Sequence, residues 1–384
     1  MLFKNLALGF LLALNAYAAG PQLVLTLPVE TKLRVPQGVA DTLETWVEMF
    51  NSAKDSHSSI DIEQFYISDA AGEPMEEVLD AIKAAAGRGV PVRLIVDKTF
   101  LKNQPEGATA LTNIENIEVR IIDYTKLGGG VQHSKYFIVG GTDAYLGSAN
   151  FDWRALKHIH ETGIRTQDKH VVSSLQAIFE KDWDRAARTG TVQLAALGSS
   201  PKISKAGSLH FAASPVADLP SSVTSTVDTL LSLIAGAKQS IQLQTMEYTT
   251  SVYGKQTRWT ELQAALLKAA ERLNKPGESA KVQVLLDKTK ETQPGVKELV
   301  AGGVEVRAVE IPQYSGGPIP YARLIHSKFL IVDGKTFWLG TDNYGRSYYY
   351  GSRGVGVVSS DKKAVPQLES IFDDLWTSTY AKKL

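Results

Sequence analysis

Residues Ile325 to Asn343 read IHSKFLIVDGKTFWLGTDN, and residues Gln132 to Asn150 read QHSKYFIVGGTDAYLGSAN. One device is written twice in one chain. His326, Ser327 and Lys328 lead into Phe329, Leu330, Ile331 and Val332, an apolar run suited to a strand buried on both faces. Asp333-Gly334 is a hairpin turn signal, and Thr336 to Leu339 form the returning strand, which ends at Gly340-Thr341-Asp342-Asn343. A hairpin brings its two ends together, so His326, Lys328 and Asn343 are expected side by side at its open end. The same reasoning groups His133, Lys135, Ser148 and Asn150. A lone His two residues from a Lys beside an apolar strand is ordinarily a surface pair. Here the His, Ser, Lys, apolar strand, turn, Gly and Asn recur at unchanged offsets, which points to a shared chemical role.

The duplication extends outward from the motifs. Ser240-Ile241-Gln242-Leu243 answers Ser59-Ile60-Asp61-Ile62, and Leu285-Leu286-Asp287-Lys288-Thr289 answers Ile95-Val96-Asp97-Lys98-Thr99. Val304-Glu305-Val306-Arg307 answers Ile117-Glu118-Val119-Arg120, and Leu368 through Trp376 answers Leu175 through Trp183. In the first half, helices are expected over Thr42 to Ala53, Met75 to Gly87 and Val171 to Trp183. Strands are expected near Leu23 to Leu27, Ile60 to Tyr66, Val90 to Val96 and Ile117 to Ile122. Leu175, Ile178, Phe179 and Trp183 share one helix face and read as core. Alternating strand and helix imply an α/β fold of two duplicated layered halves, packed about a pseudo-twofold axis as two subunits of a symmetric dimer would be. The expected organisation is a signal peptide at 1–18, a first half at 19–190, a Gly, Ser, Ala and Pro-rich crossover at 191–222 and a second half at 223–384, with a short strand near Leu209 to Ala213.

Composition narrows the class. The 384 residues can bury a large core, and 41 Lys and Arg balance 41 Asp and Glu, which argues against a protein that coats nucleic acid nonspecifically but leaves room for a local basic cleft. With no cysteine, disulfides, thiolate catalysis and Cys-based metal sites are excluded. Lys4, the apolar Leu6 to Leu14 and the small-x-small Ala16-Tyr17-Ala18 predict an export signal cleaved near Ala19. The apolar segment is shorter than the ~20 residues that span a bilayer. An exported chain with neither disulfides nor an Asn-x-Ser/Thr sequon fits a periplasmic or secreted bacterial enzyme.

The pattern His-x-Lys, four residues, Asp, six residues, Gly-(Ser/Thr)-x-Asn resembles the paired motif of the phospholipase D superfamily. Ser148-Ala149-Asn150-Phe151-Asp152-Trp153-Arg154-Ala155-Leu156, Leu23 to Pro28 and Ser59 to Ile62 look like the branch containing lysosomal phospholipase D-like exonucleases and the poxvirus envelope phospholipase. The resemblance covers nearly the whole chain after the leader. It departs from the pattern in two places. Gly140 stands where the second copy has Asp333; both precede a Gly at a turn needing positive φ, so Asp333 reads as a turn residue. The downstream acidic residue that holds a catalytic His in the family is present as Glu161, whereas the second copy offers Gly351-Ser352-Arg353-Gly354.

The resemblance implies phosphodiester cleavage with neither cofactor nor metal. One imidazole attacks phosphorus and forms a phosphohistidine, and the other protonates the leaving alkoxide and then activates water. Lys135, Lys328, Asn150 and Asn343 would bind the nonbridging oxygens, with Ser148 and Thr341 in support. His133 is expected as nucleophile because Glu161, in its own copy, could orient it, and His326 as general acid. The expected partner is a phosphodiester, a phospholipid headgroup first and single-stranded nucleic acid second, met by a monomer that could touch a membrane peripherally. A catalytically weakened binding module is the competing class, given Gly140 and the absent second carboxylate. His57, His158, His160, His170 and His210 lack duplicated partners and read as surface or packing residues, and Tyr344, Tyr348, Tyr349 and Tyr350 as a groove lining or half-buried packing.

Overall fold

The computed structural model describes residues 20–101, 105–195, 202–252 and 254–384. The expected leader at Met1 to Ala18 lies outside them.

Two nine-stranded sheets carry the chain, and both are built in one order. In the first sheet the strands run Ala187–Thr189, Ile117–Ile122, Val92–Asp97, Ile60–Gln64, Tyr136–Val139, Asp143–Gly147, Glu161–Thr166, Gln22–Thr26 and Ala40–Asp41. The second runs Ala381–Lys383, Glu305–Val309, Val282–Asp287, Ile241–Gln244, Phe329–Val332, Thr336–Gly340, Gly354–Ser359, His210–Ser214 and Thr224–Ser225. Ile60–Gln64 pairs parallel with Val92–Asp97, which pairs parallel with Ile117–Ile122, because helical crossovers such as Met75–Gly87 return the chain to the same end. The motif hairpin then enters antiparallel, with Tyr136 opposite Leu146 in one copy and Phe329 opposite Leu339 in the other. The short strand expected near Leu209 is present as His210–Ser214, which pairs antiparallel with Gly354–Ser359 as Gln22–Thr26 pairs with Glu161–Thr166.

Strand alternation sorts side chains into three cores. In the first hairpin, Tyr136, Ile138 and Leu146 face a central cluster, while Phe137, Val139 and Tyr145 face an outer one. The central cluster is shared: it joins Leu175, Ile178, Phe179 and Trp183 of the helix Lys169–Arg185 to Leu368, Ile371, Phe372 and Trp376 of the helix Ala364–Trp376. Since one apolar cluster runs through both halves, they form a single packed body with the paired helices at its heart. Among the described residues, no helix is long and apolar enough to cross a membrane.

The turns explain the difference at Gly140 and Asp333. Both have positive φ, +59° and +57°, which Gly adopts freely and Asp tolerates. The Asp333 carboxylate accepts the backbone N–H groups of Lys238, Gln239 and Ser240, so it ties down a turn at the far end of the hairpin from the histidine.

Candidate active site

The halves meet through two equivalent pairs of backbone bridges. Gln132 pairs in parallel with Arg353, and Ile325 with His160. The His133 N–H donates to the Arg353 carbonyl at 2.9 Å, and the His326 N–H to the His160 carbonyl at 2.9 Å. Each motif strand is therefore held by the segment that follows the asparagine loop of the other half. A second device is also duplicated: Asp97 accepts the Gln132 N–H at 2.8 Å, and Asp287 the Ile325 N–H at 3.1 Å. These two carboxylates fix the strands' entry to the histidines. The repeated Asp-Lys-Thr was visible in the sequence, but its purpose depended on a contact between distant residues.

Within each half the hairpin end assembles as expected. Lys135 Nζ donates to the His133 carbonyl at 2.5 Å, and Lys328 Nζ donates to the His326 carbonyl. Ser148 and Thr341 hold corresponding places, their hydroxyls accepting the N–H groups of Thr162 and Val355, both at 3.0 Å. Asn150 and Asn343 are buried at the loop ends, each with a side-chain oxygen that has no hydrogen-bond partner among the described residues. The Asn150 amide donates to Tyr66 Oη at 3.4 Å.

Glu161 corrects one expectation. Its carboxylate does not hold His133; it lies 2.9 and 3.0 Å from Nδ1 of His326 and also accepts the Ser148 hydroxyl. The reason is the crossed bridging. His160 abuts Ile325, so the next residue along faces the histidine of the other copy. A neutral His326 donating Nδ1–H to Glu161 presents an Nε2 lone pair to the pocket. His133 Nδ1, by contrast, is buried with no hydrogen-bond partner among the described residues.

The pocket concentrates cationic side chains out of water. Burial lowers the pKa of His133 well below its usual value, helped by Lys135, Lys328 and His326 and opposed by the Thr341 backbone beside it. The two histidines and two lysines thus share one electrostatic environment. Burial also lowers His326, against the pull of Glu161, and drives Lys135 far down and Lys328 to about 7. Glu161 is raised by burial, but His326, Lys328 and the Ser148 hydroxyl more than reverse this and keep it ionised. Two lysines and two histidines around one ionised carboxylate make a site whose electrostatics favour an anionic ligand.

Aromatic side chains wall the His133 side. Phe65 and Tyr348 set their rings edge-on to the imidazole at 5.1 and 5.0 Å between centroids, and Phe100 stacks on Tyr66 at 5.4 Å. Tyr66, Phe100 and Tyr348 remain partly exposed. The tyrosine run separates accordingly: Tyr348 lines the site, Tyr344 and Tyr349 are core, and Tyr350 donates to Glu261. His160 is a buried packing residue, its Nδ1 2.9 Å from Ser327 Oγ, and His158 packs against Trp153 and Tyr314.

A chain with two His-x-Lys hairpins facing one another across a two-sheet body has the architecture of a phosphodiesterase of the phospholipase D superfamily, and the family comparison agrees. A profile described as "Cardiolipin synthase, PLD-like domain" matches residues 47–183 and 230–376, and the chain belongs to this PLD-like family. Similar proteins include Phospholipase D Z of Dictyostelium discoideum, 28% identical across 96% of this chain and 91% of its own length. The mouse 5'-3' exonuclease PLD4 is 28% identical across 89% of this chain and 75% of its own length. The virion nicking-joining enzyme of vaccinia virus strain Western Reserve is 27% identical across 94% and 89%. The phosphatidylserine synthase of Haemophilus influenzae shares the fold, with a TM-score of 0.60 at 13% identity over 89% of this chain and 85% of that one.

Proposed function

We propose that the protein hydrolyses phosphodiesters through a covalent phosphohistidine, with His326 as the attacking imidazole and His133 as the acid and base. The Glu161–His326 contact carries this reading: a carboxylate on Nδ1 fixes the tautomer that leaves Nε2 free and stabilises the cation once phosphorus is attached. It also reverses the expected assignment, since the support once ascribed to His133 belongs to His326. In the first step Nε2 of His326 bonds to phosphorus, the bond to the leaving oxygen breaks, and His133 gives that oxygen a proton. In the second step His133 takes a proton from water as its oxygen bonds to phosphorus and the P–N bond breaks. Lys135, Lys328, Asn150 and Asn343 bind the nonbridging oxygens, and Ser148 and Thr341 hold the loops that carry them.

The aromatic wall beside His133 favours single-stranded nucleic acid as substrate, because bases stack on partly exposed rings whatever their sequence. The exonuclease and nicking-joining relatives support this order, which reverses the one expected from sequence. A phospholipid headgroup is the second reading, supported by similarity to Phospholipase D Z along nearly the full length of both chains. Purified protein with chelator, given a labelled single-stranded oligonucleotide and phosphatidylcholine vesicles in parallel, separates them. Cleavage of the lipid alone would overturn the preferred substrate, and cleavage of neither would favour the binding-module reading. Quenching during turnover and mapping the acid-labile phosphoryl group by mass spectrometry should place it on His326; its recovery on His133 would restore the opposite assignment. Export through the leader Met1 to Ala18 completes the proposal, and the secreted protein should begin near Ala19 on N-terminal sequencing.

A further inference from the structure

The two corners of the site are equivalent in backbone but differ in side chains. Gly163 is in register with Gly147, and Gly356 with Gly340, so Gly354 occupies the position of Glu161. A β-carbon on Gly354 would overlap the carboxylate of Asp342. The acidic group missing from the strand is thus present in the same space, delivered from the asparagine loop, where the first copy has Ala149. Asp342 is fully buried and accepts the Ser214 hydroxyl at 3.1 Å, while its other oxygen, Oδ1, has no hydrogen-bond partner among the described residues. The Thr341 hydroxyl stabilises the charged form of Asp342, as the Ser148 hydroxyl does that of Glu161. Among the buried atoms on this side of the site that have no hydrogen-bond partner among the described residues are a carboxylate acceptor, Asp342 Oδ1, and a ring nitrogen, His133 Nδ1.

We propose that Asp342 is the positioning residue for His133, doing from the asparagine loop what Glu161 does for His326 from the strand. Resting on the paired-imidazole reading above, this supplies the second orienting carboxylate that the motif comparison found absent. When His133 takes up a proton, Nδ1–H gains Asp342 Oδ1 as its acceptor, and the charge on His133 is offset within the site. The groups bearing on Asp342 fit the role. Burial raises its carboxyl to about 7, opposed by the Ser214 and Thr341 hydroxyls and by Lys135 and Lys328, while the phenols of Tyr344, Tyr348 and Tyr349 feel its charge. A carboxylate with its pKa raised in the folded state costs stability once ionised. Stability is therefore fullest below the unfolded carboxyl value and falls as pH rises through about 7.

The test is to move the carboxylate. With bis(p-nitrophenyl) phosphate as probe, Asp342→Ala should lower kcat on the order of 10²-fold with little change in KM, and shift the kcat/KM pH profile on the limb set by His133. Asp342→Ala combined with Gly354→Glu should recover at least tenfold of that loss and restore the limb, with Asp342→Ala/Gly354→Ala as the packing control. Asp342→Asn should be less active yet melt at a higher temperature than the parent at pH 8, with the difference gone below pH 4. If Asp342→Asn keeps full activity and an unshifted profile, or if the Gly354→Ala control recovers as much as Gly354→Glu, the assignment is wrong. If His133→Ala and His326→Ala remain active, the paired-imidazole reading itself has failed.

Discussion

The Glu161–His326 corner and the His133–Asp342 corner share backbone bridges, hairpins and lysine placements, yet one holds a finished carboxylate–imidazole pair and the other does not. Duplication therefore preserved the frame of the site more strictly than its chemistry. The frame depends on hydrogen bonds that any residue's backbone can make, whereas the chemistry depends on which side chain reaches a nitrogen.

The comparison predicts unequal sensitivity, and the largest effects fall on the imidazoles. His326→Ala and His133→Ala should each cut turnover on the order of 10³-fold or more while leaving the circular dichroism spectrum unchanged. A substrate with a good leaving group should restore phosphoenzyme formation in His133→Ala but not in His326→Ala, because it relieves only the first step of its need for a proton donor, while turnover still waits on the base in the second. Glu161→Gln should cost about 10²- to 10⁴-fold in kcat, by analogy with removing the orienting charge from an imidazole pair. It should also move a pH limb in a definite direction. Glu161 raises the His326 pKa, so the substitution should shift the acid limb of kcat/KM to lower pH, from a starting point already below that of ordinary histidine. Beyond the basic limb set by His133, a further loss of activity should appear near pH 7, where Lys328 loses its proton, and a profile with no change in slope there would remove Lys328 from the charge balance.

Stability separates the corners differently. Arg353 stands where the first copy has His160, and its fully buried guanidinium bonds Asp182 at 2.6 and 3.0 Å and Asp218 at 2.8 Å. Arg353→Ala would strand Asp182 without its cation and should cost about 3–5 kcal/mol in urea unfolding. His160→Ala, which removes a neutral ring and a bond to Ser327, should cost less. Smallest of all, Gly140→Asp restores the motif acid at an exposed turn where a β-carbon would meet only Thr142 Oγ1, at 3.9 Å. It should change activity little and cost about 1 kcal/mol of stability for a side chain at positive φ, and a large gain in activity would show that the turn acid acts in catalysis.

Much of this was legible in the sequence, because strands and helices announce themselves through local period and the motif was written twice. Met75–Gly87 and Ile117–Ile122 fall where apolar spacing places them. His133, Lys135, Ser148 and Asn150 gather because a hairpin with a short turn leaves no other arrangement. What could not be read was which half each carboxylate would serve. Glu161 is 28 residues from His133 and 165 from His326, yet it bonds the more distant one, since the crossing of the halves is a property of the shared core and not of any local pattern. Asp342 was hidden for a related reason: a motif alignment places it opposite Ala149, and only three dimensions place it over Gly354.

The crossed bridges have a consequence for how such a molecule can change over time. In a dimer of identical chains, any substitution near one imidazole is copied at once beside the other, so both corners must tolerate it together. A single chain holding both copies is released from that constraint. One corner can keep its ancestral acid while its twin loses the residue and recruits a neighbour to the same space, and Gly354 beneath Asp342 has the form such an exchange would leave.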